Sequence, residues 1–417
     1  MRKPIVFSVS CLLILISVTG GCAWKTGEMF KGILIDDPIR FKDGYKYFSW
    51  CTGGVPLVDK LPQILNKDYV VLLQNNTELR ATGGFMGSYA RLRFRNGTLQ
   101  STKIEDIYEP DGQLYGYVQP PAPLDRAFDH GSWKLRDSNW DPDFTVAAPK
   151  IAWFFGQGGE PVDGLVAINL ISVQRILDVL AIPNKNLVNL AQTSAEIHKD
   201  KKGFLSNVAG DILGELKILK YPRLLKLLRI IYEDLKSKQI LLWAKDPQVQ
   251  EVIKQKYWDG SLGDYAHDYL YIVESNLGAN KANCCITRDV TQEVTGNLEK
   301  LTIVFKNDNE FTNPKPPVFW GGDYINYLRV IIPITADVKN SEKYDIESRG
   351  KFKIVGVWVK VPAQKSVTVE IEYILSSNDK YSILVKRQPG IANFPYKLIM
   401  NGKIIVNEIV TKEVIYK

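Results

Sequence analysis

The chain has 417 residues, of which 45% are hydrophobic and 24% charged, an ordinary balance for a globular protein of two or three domains. That balance excludes a disordered, a collagen-like and a polytopic membrane chain. There are 53 basic and 46 acidic residues; setting aside Arg2 and Lys3 of the N-terminal segment leaves 51 against 46, too weak a bias to argue for nucleic acid.

Arg2 and Lys3 precede an apolar run from Ile5 to Val18 and then small residues, the layout of a secretory signal. The run is short of the ~20 residues a spanning helix needs. Gly20-Gly21-Cys22 resembles a bacterial lipoprotein processing site, although Thr19 stands where such sites carry an aliphatic residue. Lipidation of Cys22 is the favoured reading of residues 1–22, with a retained anchor or plain secretion as alternatives. All three place residues 23–417 outside the cytoplasmic membrane, held to it in the first two cases. Beyond Cys11 and Cys22 only Cys51, Cys284 and Cys285 remain, too few for a disulfide framework and without zinc spacing. Cys284 and Cys285 read as two half-buried thiols in preference to a vicinal bond.

Residues 23–66 form a lead-in with no sustained period. Tyr69 to Leu73 is a short apolar run, as expected of a strand buried on both faces. Phe85 to Phe94 predicts a second strand, closed by the turn pair Asn96-Gly97. A loop-rich stretch follows to Pro149. Leu165 to Ile168 predicts a strand, Ser172 to Leu180 a helix, and two helices follow near Leu205–Leu219 and Pro222–Lys238. Ile240–Trp243 predicts a strand, Pro247–Lys256 a helix and Tyr269–Val273 another strand. This alternation gives residues 67–284 an α/β reading, with a mixed sheet and covering helices. From residue 285 to 417, β-branched residues alternate with polar ones, as in Lys300–Lys306, Arg329–Pro333, Lys353–Val361 and Ser366–Leu375. That pattern predicts an antiparallel β-sandwich.

There is no nucleophile elbow, zinc-protease helix motif, Walker loop or dinucleotide fingerprint, and the histidines are scattered at His130, His198 and His267. Chemistry therefore falls to carboxylates, arginines and lysines, and three loops offer them. The first, residues 74–84, follows a buried strand and carries Asn75, Asn76, Glu78, Arg80 and Thr82 ahead of Gly83-Gly84. Arg80 suits a phosphate, and the glycines suit close backbone approach. The plain alternative is a polar turn whose side chains satisfy its own backbone. The second loop, residues 135–144, sets Asp137, Asn139, Asp141 and Asp143 at alternate positions, beside Arg136. Pro142 and Ala148 exclude a calcium-hand loop, leaving looser cation binding at Asp137 or Asp141, or a set of turns and caps. The third, residues 274–281, ends in Lys281, suited to a phosphate or to a structural pair. A basic stripe of Lys217, Lys220, Arg223, Lys226 and Arg229 reads as a solvated helix face in preference to a lipid-facing one.

The stretches VVLLQNNTELRATGGFMGSY, LRDSNWDPDF, VDGLVAIN, KDPQVQEVIKQKYWDGSL and ESNLGANKAN, in this order, resemble the bacterial domain of unknown function numbered 4012, over roughly residues 60–330. Members usually read aspartate where this chain has Asn169. That resemblance implies a bacterial envelope protein with an N-terminal membrane segment. A remoter similarity is to the LytR-CpsA-Psr family, extracytoplasmic phosphotransferases that move glycopolymers from a polyprenyl-pyrophosphate carrier onto the cell wall. By position it implies catalytic roles for Arg80, Arg136, Glu78 and Asp137. Arg80 and Arg136 would clamp phosphates, and Glu78 or Asp137 would serve a Mg2+ ion. Asn75, Asn76, Thr82 and Lys281 are the substrate-binding candidates, and Asp141 a second metal candidate. The rival function is a non-catalytic module that binds cell-surface glycan or protein. The first would need an apolar tunnel beside Arg80, whereas the second would show only a shallow groove.

Overall fold

The computed structural model describes residues 20–53, 55–183, 200–310, 321–376 and 381–417. The apolar run of residues 5–18 and Cys11 lie outside them, and no described helix is long and apolar enough to cross a membrane.

The lead-in is helical, contrary to the irregular segment expected. Helix α1 covers residues 20–34 and α2 Pro38–Thr52. The Asp37 carboxylate caps α2 by accepting from the Arg40 N–H at 2.9 Å, and Pro38 sits where its missing N–H costs nothing. The two helices touch where Gly44 lies against Met29 so closely that a Cβ would collide. Met29, Ile33 and Phe41 bury against Leu65 and Phe94, which ties the pair to the sheet. Cys22 and Cys51 join the two helices as a disulfide, with Cα atoms 6.0 Å apart. That bond and the lipidation expected at Cys22 draw on the same sulfur, so the two are alternatives. Cys284 and Cys285 likewise form a vicinal disulfide and not two thiols.

The first sheet contains β1 (Asp68–Asn75), β2 (Phe85–Arg95), β3 (Thr98–Asp106), β4 (Gly164–Asn169) and β5 (Ile240–Ala244), in the order β3-β2-β1-β4-β5. Only β1 and β4 run parallel; the other neighbours are antiparallel. Strand β3 was not expected, because its residues are mostly polar and half exposed at the sheet edge. Val70 and Leu72 pack on α3 (Phe144–Gln157), whereas Val71 and Leu73 face α4 (Leu170–Leu180) and α6 (Tyr221–Lys236). The unbroken apolar run of β1 thus reflects cover on both faces, and each fully buried aliphatic stabilises by roughly 1.5–3 kcal/mol. Helix α5 (Lys201–Ile218) packs on β3 and α4, and α7 (Pro247–Gln255) lies beside β5.

The rest of the chain is strand-rich. Strand β6 (Asp268–Val273) does not join the first sheet, although the sequence reading grouped it with the preceding α/β elements. It pairs with β9 (Tyr324–Pro333) and, in parallel, with β14 (Ile383–Lys386). That sheet also holds β11 (Asp345–Arg349), β12 (Phe352–Val361) and β17 (Val414–Tyr416). A second sheet is built from β7 (Ile286–Thr295), β8 (Leu298–Asn307), β10 (Asp337–Val338), β13 (Ser366–Ile374), β15 (Phe394–Met400) and β16 (Lys403–Val410). It too has one parallel pair, β15 with β7, so both sheets are mixed where purely antiparallel pairing was expected. One hydrophobic cluster draws on both, including Leu270, Ile303, Phe305, Leu328 and Val355.

Two acids sit inside this cluster. Glu299 and Asp268 are hydrogen-bonded to each other, and neither forms an ion pair among the described residues. Tyr373 donates to Glu299 at 3.0 Å, and Tyr381 donates to Asp268 at 2.9 Å. Burial, then the neighbouring Asp268 charge, pushes the Glu299 carboxyl up to about 9. Burial also raises Asp268, to about 6, against the Tyr381 hydrogen bond. Burial of two neighbouring carboxyls thus favours keeping a proton on the pair. A carboxyl raised in the folded state binds more protons there than in the unfolded chain, so its stabilisation is complete below the unfolded value of about 4.3 and is lost as pH rises through the folded one. Thermal melts should show stability falling from about pH 5 to about pH 9. Glu299→Gln, whose amide still reaches Asp268, should flatten that slope; an unchanged slope would place its origin elsewhere.

Candidate functional site

The strand–loop–strand from β1 to β2 puts residues 76–84 against the strand-rich half of the molecule. The Leu79 N–H donates to Asn283 Oδ1 at 3.0 Å, and the Asn276 N–H to the Leu79 carbonyl at 3.0 Å. Gln388 Nε2 donates to the Arg80 carbonyl at 2.9 Å and to that of Glu274 at 2.8 Å. Gly83 has φ +133°, and a Cβ there would strike the Asn169 side chain; one on Gly390 would strike the Gly83 carbonyl. Glycine at 83 thus does what the sequence suggested, close approach in a conformation other residues resist.

Arg80 lies at the centre and is 1% exposed. All five of its N–H groups are engaged. Nε and Nη2 donate to Asp137 Oδ1 at 3.3 and 3.1 Å, and Nη2 also to Glu78 Oε1 at 3.1 Å. Nη1 donates to the carbonyls of Asn276 at 2.5 Å and Leu79 at 3.2 Å. The guanidinium stands over the Phe85 ring, 5.4 Å from its centre. Asp137 closes the short 3-10 turn Leu135–Asp137 and faces Arg136 Nε at 3.7 Å. Arg136 is held in turn by Asp111 at 2.8 Å and lies over Tyr108. The Asp111 carboxyl is raised by its burial, although Arg136 pulls it down.

These groups edge a cavity of about 740 Å³. Its lining mixes apolar side chains, Leu73, Phe85, Leu124, Phe128, Ile168, Leu170, Val173 and Leu205, with five cationic ones, Arg80, Lys134, Arg136, Lys201 and Lys281, and the carboxylates of Glu78, Asp106 and Asp137. The structure therefore brings Asn75, Glu78, Arg80, Arg136, Asp137 and Lys281 to one cavity from three separate loops. Other candidates fall away. Thr82 is buried and accepts from Gln74 and Asn139 at 2.6 and 3.0 Å. Asn76 and Asp141 do not line the cavity; Asp141 pairs with Arg349 at 2.6 Å and caps the Asp143 N–H. Even Asn75 spends its side-chain oxygen on the Thr77 N–H and hydroxyl.

Lys201 was missed. It opens α5 within a run of charged residues, where nothing marks one lysine from the next. Its Nζ reaches the Gly87 carbonyl at 2.7 Å and Asp106 at 3.4 Å. Burial lowers its pKa; Asp106 opposes that shift, and the charge of Lys281 adds to it. Lys281 has no ion pair among the described residues. Two lysines in one cavity, close enough to repel, form a setting that an anion would relieve.

The Arg80 cluster is a buried ion triad with its hydrogen bonds satisfied. Arg80→Ala would leave buried Glu78 without an ion-pair partner among the described residues and Asp137 with only the 3.7 Å contact to Arg136, and should cost about 3–5 kcal/mol in denaturant unfolding. Lys281→Ala breaks no described pair and should stay within about 0.5 kcal/mol of wild type. Equal effects would remove the distinction between a structural arginine and an available lysine.

No curated protein matches the chain. A family model does match in part. The matched span holds β1 to β4, the Arg80 loop, the Asp137 turn and α4; it stops short of Lys201 and Lys281. Residues 66–186 of this chain match the family described as "Protein of unknown function (DUF4012)".

Proposed function

We propose that the protein is an extracytoplasmic envelope protein that holds a polyprenyl-pyrophosphate-linked glycopolymer in this cavity and transfers its phosphate-linked glycan to an acceptor hydroxyl. The observation that carries the reading is the mixed lining of one cavity: apolar side chains suited to an isoprenoid chain stand beside cations suited to its pyrophosphate. Such a pairing favours an amphiphile over a free sugar. The disulfides Cys22–Cys51 and Cys284–Cys285 support an oxidising compartment. The N-terminal apolar run supports attachment to the membrane. The remote LytR-CpsA-Psr similarity points to the same substrate class.

In that reaction the acceptor oxygen attacks the phosphorus bearing the glycan, the P–O–P bond breaks, and polyprenyl phosphate leaves. Phosphoryl transfer asks mainly for positioning and charge neutralisation, which this chain offers without histidine. Lys201, Lys281 and Arg136 are the cations placed to meet the phosphates. Arg80 has no N–H left to give them; its role is to hold the loop and orient Glu78 and Asp137. The Mg2+ expected at Glu78 or Asp137 does not fit the residues as they stand. The Arg80 guanidinium occupies the position between both carboxylates, at 3.1 Å from each, that a cation would need.

A second reading, binding without transfer, draws on the same fact. All three carboxylates of the cavity are paired, Glu78 and Asp137 with Arg80 and Asp106 with Lys201, so none is left unpaired to act as a base.

Binding of a polyprenyl pyrophosphate should weaken roughly tenfold or more in Lys281→Ala and in Lys201→Met, since a charge-assisted hydrogen bond is worth about 1.5–3 kcal/mol. Titration by tryptophan fluorescence or calorimetry would measure this. A folded wild type that binds neither this lipid nor its monophosphate would overturn both the transferase and the lipid-binding reading. Binding without transfer to any glycan acceptor would select the second.

A further inference from the structure

Ile231 and Leu235 of helix α6 pack toward α4 and the sheet, and Leu227 is buried as well. Tyr221, Leu225, Leu228 and Tyr232 recur at i, i+4, i+7 and i+11, a second apolar line beside that face. They are 44%, 49%, 37% and 52% exposed, and Ile218 at the end of α5 is 71% exposed. Tyr232 meets the Trp258 ring at 6.4 Å; the rest of the line is largely uncovered among the described residues. A globular helix needs one apolar stripe; the second requires another explanation.

Residues 217–229, which include most of this line, carry five positive charges and no acid; the nearest acids in sequence are Glu215 and Glu233. Lys217, Lys220, Arg223 and Lys226 make no ion pair among the described residues. The two acids of α6 are taken: Glu233 pairs with Arg229 and Arg175, both at 2.9 Å, and buried Asp234 pairs with Arg175. Lys236 rests its ammonium over Tyr232, 5.5 Å from the ring centre. An open apolar line with two tyrosines, flanked by unpaired lysines, is the pattern of a helix lying in a bilayer interface. A second copy packed on the same face would bring lysines against lysines.

We propose that the α5–α6 hairpin docks this protein on an anionic phospholipid surface, with the Tyr221–Tyr232 line in the headgroup–acyl boundary. The sequence reading preferred a solvated face, because the basic stripe alone does not show which apolar residues stay uncovered. The docking does not rest on the cavity reading. It adds that the hairpin, which supplies Lys201 and Leu205 to the cavity wall, would hold that wall near the membrane.

The test uses the full chain carrying Cys11→Ser and Leu228→Cys, labelled at position 228 with an environment-sensitive fluorophore. The probes are vesicles of phosphatidylcholine with and without phosphatidylglycerol, free of polyprenyl phosphate, so the outcome is independent of the cavity. A blue shift on the anionic vesicles, weakened roughly tenfold or more in apparent affinity by Lys220→Glu with Lys226→Glu, is expected. Those two side chains make no described contact, and a thermal melt checks that the variant is folded. No shift in a folded protein, or an equal shift on neutral vesicles, overturns the proposal. So does a shift produced by raising protein concentration without lipid, which would assign the face to a second copy.

Discussion

Five hydrogen bonds from one buried guanidinium decide how the two halves of this molecule meet. Arg80 gathers Glu78 from its own loop, Asp137 from the turn before α3, and the Asn276 carbonyl from the segment after β6. A charge this far from water is tolerated only when its partners are fixed. The requirement runs outward. Asp137 must be presented by a tight 3-10 turn, Asn276 by a loop pinned through Asn280 and Asn283, and the Arg80 carbonyl by Gln388. The cavity has its shape because these loops cannot move independently.

That constraint also explains what was legible in the sequence. Strands β1, β4 and β5 and helices α4, α6 and α7 were readable from apolar period, since each is long enough and covered on a definite face. The helical lead-in was not, because α1 and α2 bury only Met29, Ile33 and Phe41, too few to impose a period. Strand β6 was recognised as a strand but grouped wrongly, since a fully buried run carries no mark of which sheet will receive it. The three polar loops were identified as special from their composition. Their division of labour was not, because it depends on which donors remain after packing. Arginine looked like the phosphate ligand on chemical grounds, yet packing consumed its donors and left the lysines.

The distinction between consumed and available charge separates the two ends of the candidate site. Around Arg80, cation and carboxylates are matched and buried, and their energy goes into holding the loops. Around Lys201 and Lys281, Asp106 pairs with Lys201, whereas Lys281 has no ion pair among the described residues and its charge adds to the lowering of Lys201. Such a surplus of one sign is unfavourable and is what an anion would relieve. Apolar side chains line the same cavity, and a purely hydrophilic anion would leave that part of the lining unused.

The same reasoning applies at a larger scale on α6. Its inner face is matched to the sheet and to α4, whereas Tyr221, Leu225 and Leu228 stay exposed and Lys220, Arg223 and Lys226 make no ion pair among the described residues. Cavity and helix therefore present the same unmet pair of requirements, apolar cover next to negative charge. On the proposed readings, one molecule would meet them in the cavity and a lipid surface would meet them on the open helix. Because α5 belongs to both, anchoring the helix hairpin in a bilayer would shorten the path by which a lipid-linked molecule leaves the membrane for the cavity. A fold whose loops are locked by Arg80 can afford that arrangement: the wall that meets the membrane is a separate hairpin, and its movement need not disturb the ion triad.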